Sequence, residues 1–244
     1  MLWARIQVGE RRLFGTVAGE SLAVHTGDMF GAATATGETI GLAEARWLAP
    51  CEPSKLLALW NNFREAAEKY GWEIPAEPLY FAKTANSFNA HLGAIPAPAA
   101  YDGRVVYEGE LGIVIGRDAT IFGYTCVNDV TALEIIARDP SFPQWTRAKS
   151  FDGFAPFGPV IATGLDPLTL HVRTRVNGRE RQNYPASDMI FPPAELVTRI
   201  ARDLTLLPGD IIACGTSLGV LPLRAGATVE VEIEGIGVLR NVYG

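Results

Sequence analysis

Val105-Val106-Tyr107-Glu108-Gly109-Glu110-Leu111-Gly112-Ile113-Val114-Ile115-Gly116 decides how this chain is read. The run is apolar apart from its two glutamates and rich in β-branched residues, so it predicts a buried strand. In a strand, residues two apart share a face, and Glu108 and Glu110 then point the same way from an apolar segment. Two carboxylates side by side in a poorly solvated setting repel each other and call for a compensating positive group. Oxygen ligands suit Mg²⁺ or Mn²⁺. Taken alone, the E-x-E spacing is a weak signal and more readily describes two glutamates on a solvated strand face.

Outward from this strand, Gly123-Tyr124-Thr125-Cys126-Val127-Asn128 predicts a neighbouring strand that ends at Asp129. A carboxylate there can complete a three-oxygen site, or it can cap a helix starting at Val130. Lys149, within Thr146-Arg147-Ala148-Lys149-Ser150-Phe151-Asp152-Gly153, can neutralise a substrate carboxylate or donate a proton, or lie solvated in a loop. Cys214-Gly215-Thr216-Ser217-Leu218-Gly219 is a turn of small residues offering N–H groups and hydroxyls to an anion. It lacks the lysine of a phosphate-binding P-loop.

Further strands are expected over 160–163, 168–176, 210–214 and 228–233, with Leu207-Pro208-Gly209-Asp210 as a turn. Pro193–Asp203 is the best helix, with Leu196, Val197 and Ile200 on one face. Asn62, Glu65 and Gly71 suggest a capping box and a stop for a short polar helix, weakly packed and free to move. Residues 1–50 read as short strands punctuated by glycines, a small β-rich N-terminal domain before a larger domain at 54–244. The fold class expected is β-rich α+β around one main core.

The 244 residues are 48% hydrophobic and 20% charged, with a formal net charge of -6. An acidic chain without a Lys/Arg run is a poor partner for nucleic acid or anionic membranes. No segment reaches the roughly 20 apolar residues of a membrane span. Three scattered cysteines, Cys51, Cys126 and Cys214, fit reduced thiols in a cytoplasmic protein.

Several ordered blocks over 54–244 resemble the fumarylacetoacetate hydrolase superfamily. They are Tyr107-Glu108-Gly109-Glu110-Leu111, Gly123-Tyr124 with Asn128-Asp129-Val130-Thr131-Ala132, and Ala148-Lys149-Ser150-Phe151-Asp152-Gly153-Phe154 with Gly158-Pro159. Val176-Asn177-Gly178 with Gln182, and Leu207-Pro208-Gly209-Asp210 with Gly215-Thr216, complete the set. The resemblance implies a mixed β-roll, usually dimeric, with Mg²⁺ or Mn²⁺ on Glu108, Glu110 and Asp129. It also implies substrate contacts from Lys149, Thr216 and the Gly215 turn, and an enolate of a small 2-oxo acid stabilised by the metal. Phe81-Ala82-Lys83, Asn86-Ser87-Phe88 and His91 look closest to the decarboxylase/isomerase branch of aromatic (homoprotocatechuate) catabolism.

Departures matter as much. Where family hydrolases carry a histidine and a glutamate on the short helix, this chain has Ala66 and Lys69, leaving Arg64, Glu65 or Glu68 as stand-ins. Leu133 and Ile136 replace usual polar substrate contacts, which argues for a more apolar substrate tail and against acylpyruvates and oxaloacetate. The expectation is therefore a metal-dependent decarboxylase or isomerase of a 2-oxo or 2-hydroxydienoate acid. The alternatives are a C–C hydrolase of acylpyruvate type and a non-catalytic metal and oxo-acid binding module.

Overall fold

In the computed structural model all 244 residues are described. The chain begins with β1 (Leu2–Val8), β2 (Arg11–Ala18), β3 (Ser21–Gly27), β4 (Ala33–Gly41) and β5 (Arg46–Trp47). Next come β6 (Leu56–Trp60), α1 (Arg64–Tyr70), β7 (Leu79–Lys83), β8 (Phe88–Asn89) and β9 (Ala94–Ile95). The central hairpin follows: β10 (Val105–Val106), β11 (Gly109–Ile115), β12 (Ile121–Asn128) and β13 (Thr131–Ala132). Two short helices, α2 (Leu133–Ile136) and α3 (Trp145–Lys149), precede β14 (Ala155–Ala162), β15 (His171–Val176) and β16 (Arg179–Pro185). α4 (Pro193–Asp203), β17 (Ile211–Ala213), β18 (Ala227–Ile233) and β19 (Gly237–Tyr243) end the chain.

A long mixed sheet runs β4-β3-β2-β1-β14-β12-β11-β17-β6-β7, with β5 joined to β1 and β8 to β14. A second sheet, β16-β15-β18-β19-β9, packs across it. Alternation along each strand divides the apolar residues between the two faces of the long sheet. Leu57, Leu59, Leu111, Ile113, Ile212 and Cys214 face the main core, with Val172, Val231 and Leu239 of the second sheet. Leu56, Ala58, Val114, Val127, Ile211 and Ala213 project from the opposite face. The result is the β-rich α+β architecture expected from the sequence.

Residues 1–50 join this sheet through β1, whose Leu2 and Trp3 pair with Ala162 and Ile161 of β14. Ala4, Ile6, Leu22 and Val24 are buried in the main core. β4 escaped the sequence reading because most of its side chains are exposed. β16 did so because only Gln182 and Tyr184 of its mostly polar run are buried. α4 spans the residues expected, with Leu196, Val197 and Ile200 turned inward. The turn before β17 is held by Asp210, whose buried carboxylate accepts from the N–H groups of Ser54, Lys55 and Leu207 at 2.9, 3.1 and 2.8 Å.

Helix α1 departs from expectation in two ways. Phe63, not Asn62, is its N-cap, and no side chain caps it. Asn62 donates instead to the carbonyls of Cys214 (2.8 Å) and Phe191 (3.2 Å) and accepts from the Phe191 N–H, so its amide ties three segments together. The helix also packs firmly, with Phe63, Ala66 and Ala67 buried. Its C-terminal stop is as expected: Gly71 adopts the left-handed conformation (φ 69°), which a residue without Cβ reaches freely. No helix is long and apolar enough to cross a membrane.

Candidate metal centre

The central hairpin keeps one register through a gap in its ladder. Val105 pairs with Ala132 and Val106 with Thr131; beyond the gap Gly109 pairs with Asn128 and Glu110 with Val127. That register sets Glu108 opposite Asp129, and the Asp129 N–H donates to the Glu108 carbonyl at 2.8 Å. The single strand expected over 105–116 is thus two strands, broken at Tyr107-Glu108. Alternation survives the break, so Glu108, Glu110 and Asp129 leave the sheet on the face that carries Val127 and Val114. Carboxylate oxygens of the three lie within 4.8 Å of one another. Asp129 caps no helix: Thr131-Ala132 continue as a strand, and α2 starts only at Leu133.

Each acid is held in place. Glu108 receives its Thr131 hydroxyl bond at 3.0 Å, and its own N–H donates to the Asn128 side-chain oxygen at 3.2 Å. Glu110 Oε2 accepts from the Gly215 N–H at 2.7 Å. Between the two glutamates, the Gly109 N–H donates to Gln182 Oε1 at 3.0 Å, and its carbonyl accepts from the hydroxyls of Tyr184 and Thr216. A Cβ at Gly109 would stand 2.0 Å from Thr174 Oγ1, so only glycine lets the second sheet approach this closely.

Two lysines neutralise the acids. Lys149 Nζ donates to Asp129 Oδ2 at 2.6 Å and to Glu108 Oε2 at 2.8 Å. Lys83 Nζ contacts Asp129 Oδ1 and the Val130 carbonyl. The side chains of Lys83, Asp129 and Lys149 are at most 3% exposed, whereas that of Glu108 is 17% exposed and marks the side open to solvent. Burial and the neighbouring acids push the Glu110 carboxyl well above the usual carboxylate range, and burial also raises Glu108. Asp129 feels the same burial, but Lys149 and Lys83 outweigh it and hold its carboxyl low.

These residues fit a hard divalent cation. Glu110 Oε1 is completely buried and has no hydrogen-bond partner, an arrangement that is costly unless a ligand completes it. The donor set is all oxygen, as Mg²⁺ and Mn²⁺ prefer. Formally, three carboxylates and two ammoniums leave one negative charge, which a dication turns to one positive. A bound cation would therefore favour an anionic ligand beside it.

The remaining sequence candidates are less uniform. The Gly215 N–H is committed to Glu110, so it positions a carboxylate and is not free for a substrate anion. Thr216 donates to Gly109 and accepts from Gln182 Nε2 at 2.8 Å, serving the same scaffold. The side chains of Arg64 and Glu65 are exposed at the head of α1 and make no hydrogen bond or ion pair with the acid–lysine cluster, while the Glu65 N–H donates to Asp188 at 3.0 Å. Ala66, in the place of the family histidine, is 3% exposed and belongs to the main core. Lys83 was not read as a site residue; a lysine directly after Leu79-Tyr80-Phe81-Ala82 was the available signal. Cavity size is a poor guide here, since a cleft of about 560 Å³ between Arg117–Ala119 and Ala201–Pro208 holds none of these groups.

The family model for the fumarylacetoacetate (FAA) hydrolase C-terminal domain matches residues 55–243, and one for a Rv2993c-like N-terminal domain matches residues 1–50. Oxaloacetate tautomerase YisK of Bacillus subtilis is 37% identical over 227 residues, covering 83% of this chain and 74% of that protein. A 2-hydroxyhepta-2,4-diene-1,7-dioate isomerase from Mycobacterium marinum superposes with a TM-score of 0.90 at 37% identity, covering 100% of this chain and 98% of its own. A 5-carboxymethyl-2-hydroxymuconate delta-isomerase from Mycobacterium smegmatis gives 0.91 at 36% identity, covering 100% and 99%. With the hairpin acids, the lysine helix and the Gly215 turn all inside the matched span, this chain belongs to the fumarylacetoacetate hydrolase family.

Proposed function

We propose that the protein is a divalent-metal-dependent enzyme that shifts a proton in a small 2-oxo or 2-hydroxydienoate acid, an isomerase or tautomerase. The observation that carries this reading is the unpartnered Glu110 oxygen beside Glu108, Asp129 and the Lys149 ammonium. Glu108, Glu110 and Asp129 would hold Mg²⁺ or Mn²⁺, which supplies a Lewis acid favouring the enol form of a 2-oxo acid.

The protein's own groups provide the rest. Lys149 reaches two of the three carboxylates and is the donor best placed to hand a proton to, or attract, an anionic oxygen of the substrate. Lys83 neutralises the far side of Asp129, out of solvent. Gly215 and Gln182 keep Glu110 and Gly109 in one position, so little rearrangement accompanies proton movement. We place Arg64 and Glu65 at the rim, because Asn62 anchors the start of α1 to the Cys214 carbonyl, one residue from Gly215.

A proton shift needs no activated water, and with Ala66 packed in the core α1 presents no histidine to generate one. That favours isomerisation over C–C hydrolysis. Similarity to an oxaloacetate tautomerase returns oxaloacetate, which Leu133 and Ile136 had argued against, to the substrates worth testing. The test is mass spectrometry and ultraviolet monitoring of 2-oxo acids and 2-hydroxydienoates with Mg²⁺, with and without EDTA. EDTA-sensitive conversion at equal mass supports the proposal; loss of CO₂ or cleavage with water uptake replaces it by decarboxylation or hydrolysis.

A further inference from the structure

An unbroken series of aromatic rings leads from the acid–lysine cluster to the surface. Lys149 Nζ lies 5.1 Å from the centre of the Phe81 ring. Phe81 stacks on Trp145, with ring centres 5.3 Å apart and planes 15° from parallel. Trp145 meets Trp60 at 5.9 Å, Trp60 meets Trp72 at 5.1 Å, and Trp72 meets Tyr70 at 4.8 Å. Phe81, Trp60 and Trp145 are half-buried, and Trp72 and Tyr70 are 37% and 55% exposed.

The secondary structure ties this band to the reacting groups. Phe81 and Lys83 are two apart on β7 and share a face, while Trp145 and Lys149 are four apart on α3 and share a side. Each lysine of the cluster thus has an aromatic residue on its own element, one step nearer the surface. Ala58 pairs with Phe81 and Trp60 with Leu79, which brings Trp60 onto the same face as Phe81. Gly71 turns the chain so that the Trp72 N–H donates to the Ala67 carbonyl at 2.9 Å, setting Trp72 against Trp60.

We infer that this band is the subsite for the substrate's non-reacting end, and that this end is flat and apolar: an aryl or conjugated hydrocarbon tail on a 2-oxo acid. The inference rests on the proposal that the carboxylate head binds at Glu108, Glu110 and Asp129. A head held there lies one side chain from Phe81, and a planar tail extends over rings that are already partly desolvated. None of the five rings carries charge, so a second carboxylate on the tail gains nothing from them. Face-to-face or edge contact with aromatic rings adds affinity beyond burial alone.

The test uses the full chain with Mg²⁺ and three probes: oxalate, oxaloacetate and benzoylpyruvate, an acylpyruvate whose aryl tail sets it apart from the polar ones that Leu133 and Ile136 argue against. Calorimetry gives affinities, and tryptophan emission reports contact with the band. Benzoylpyruvate is expected to bind about tenfold or more tightly than oxaloacetate and to quench emission. Trp145→Ala, and separately the more exposed Trp72→Ala, should narrow that difference and reduce the quench. Equal affinities for the two oxo acids, or variants that weaken oxalate as much as benzoylpyruvate, overturn the inference while leaving the head site standing. If Trp72→Ala changes the sedimentation of the protein but not its ligand preference, the band is a contact between copies and the inference falls. Failure of oxalate itself to bind in the presence of Mg²⁺ overturns the proposed function as well.

Discussion

The ammonium of Lys83 rests against Asp129 Oδ1 although β11, β17 and β6 lie between their strands in the sheet. Lys83 ends the edge strand β7, and Asp129 follows β12. Only a strongly curled sheet brings the two together. Both side chains are fully excluded from solvent, so Lys83 depends on Asp129 for its charge, and Asp129 on Lys83 and Lys149 together.

Lys83→Met should accordingly destabilise the metal-free protein by less than the roughly 3–5 kcal/mol that stranding a buried charge outright costs. Asp129 keeps Lys149, and a dication would supply further positive charge, so the loss should shrink in saturating Mg²⁺. Urea unfolding of both proteins in EDTA and in Mg²⁺ gives the comparison. An equal loss in the two conditions would show that Lys83 and the cation do not share Asp129.

Glu110→Gln keeps the shape and the acceptor for the Gly215 N–H but removes one charge from the set. Affinity for Mg²⁺ or Mn²⁺ should fall by more than about tenfold, the lower range for disturbing even the groups behind a metal ligand. The metal-free variant should be at least as stable as the parent, since a poorly solvated carboxylate has gone. Unchanged metal affinity in a calorimetric titration would move the site elsewhere.

The pH dependence follows from the same acids. Glu108 and Glu110 have carboxyls raised above their unfolded values, so their contribution is fully present below roughly pH 4.3 and is lost as pH rises toward the folded values. Asp129 is lowered, so its contribution is present above its unfolded value of about 3.9 and is lost as pH falls through the folded one. Metal-free protein should lose stability as pH increases above the usual carboxylate range, and the stabilisation gained from Mg²⁺ should grow over that interval. Thermal melts from the usual carboxylate range up to neutral pH, with and without EDTA, measure it. A Mg²⁺ effect constant across the series would contradict the assignment.

Lys149→Met tests the proton carrier. Turnover should fall by about a hundredfold or more, the ordinary contribution of a positioned acid–base group. Metal binding should persist, because the three carboxylates remain. Activity close to the parent would transfer the role to another group.

Gln182 is a positioning residue: its side chain bridges the Gly109 N–H to Thr216. Gln182→Leu leaves a buried N–H without a partner and should cost about 1–3 kcal/mol. Weaker Mg²⁺ binding should accompany it, as the backbone between Glu108 and Glu110 loosens. A stability loss with metal affinity intact would limit Gln182 to a structural role.

Reading period-two alternation was enough to place Glu108 and Glu110 on one face; Asp129 joined them only through the family resemblance, because which residue stands opposite Glu108 is set by the pairing register. Amphipathic spacing likewise set the bounds of α4. The chain-local pattern says which side of an element is apolar, and no more. What meets that side depends on summed sheet twist and on packing between segments far apart in sequence. Tertiary structure therefore decided that Lys83 reaches Asp129 and that Gly215 spends its N–H on Glu110. It also decided that Ala66 is core and that Phe81, Trp145, Trp60 and Trp72 form one band. Those contacts join residues about a dozen to a hundred positions apart, and no local period encodes them.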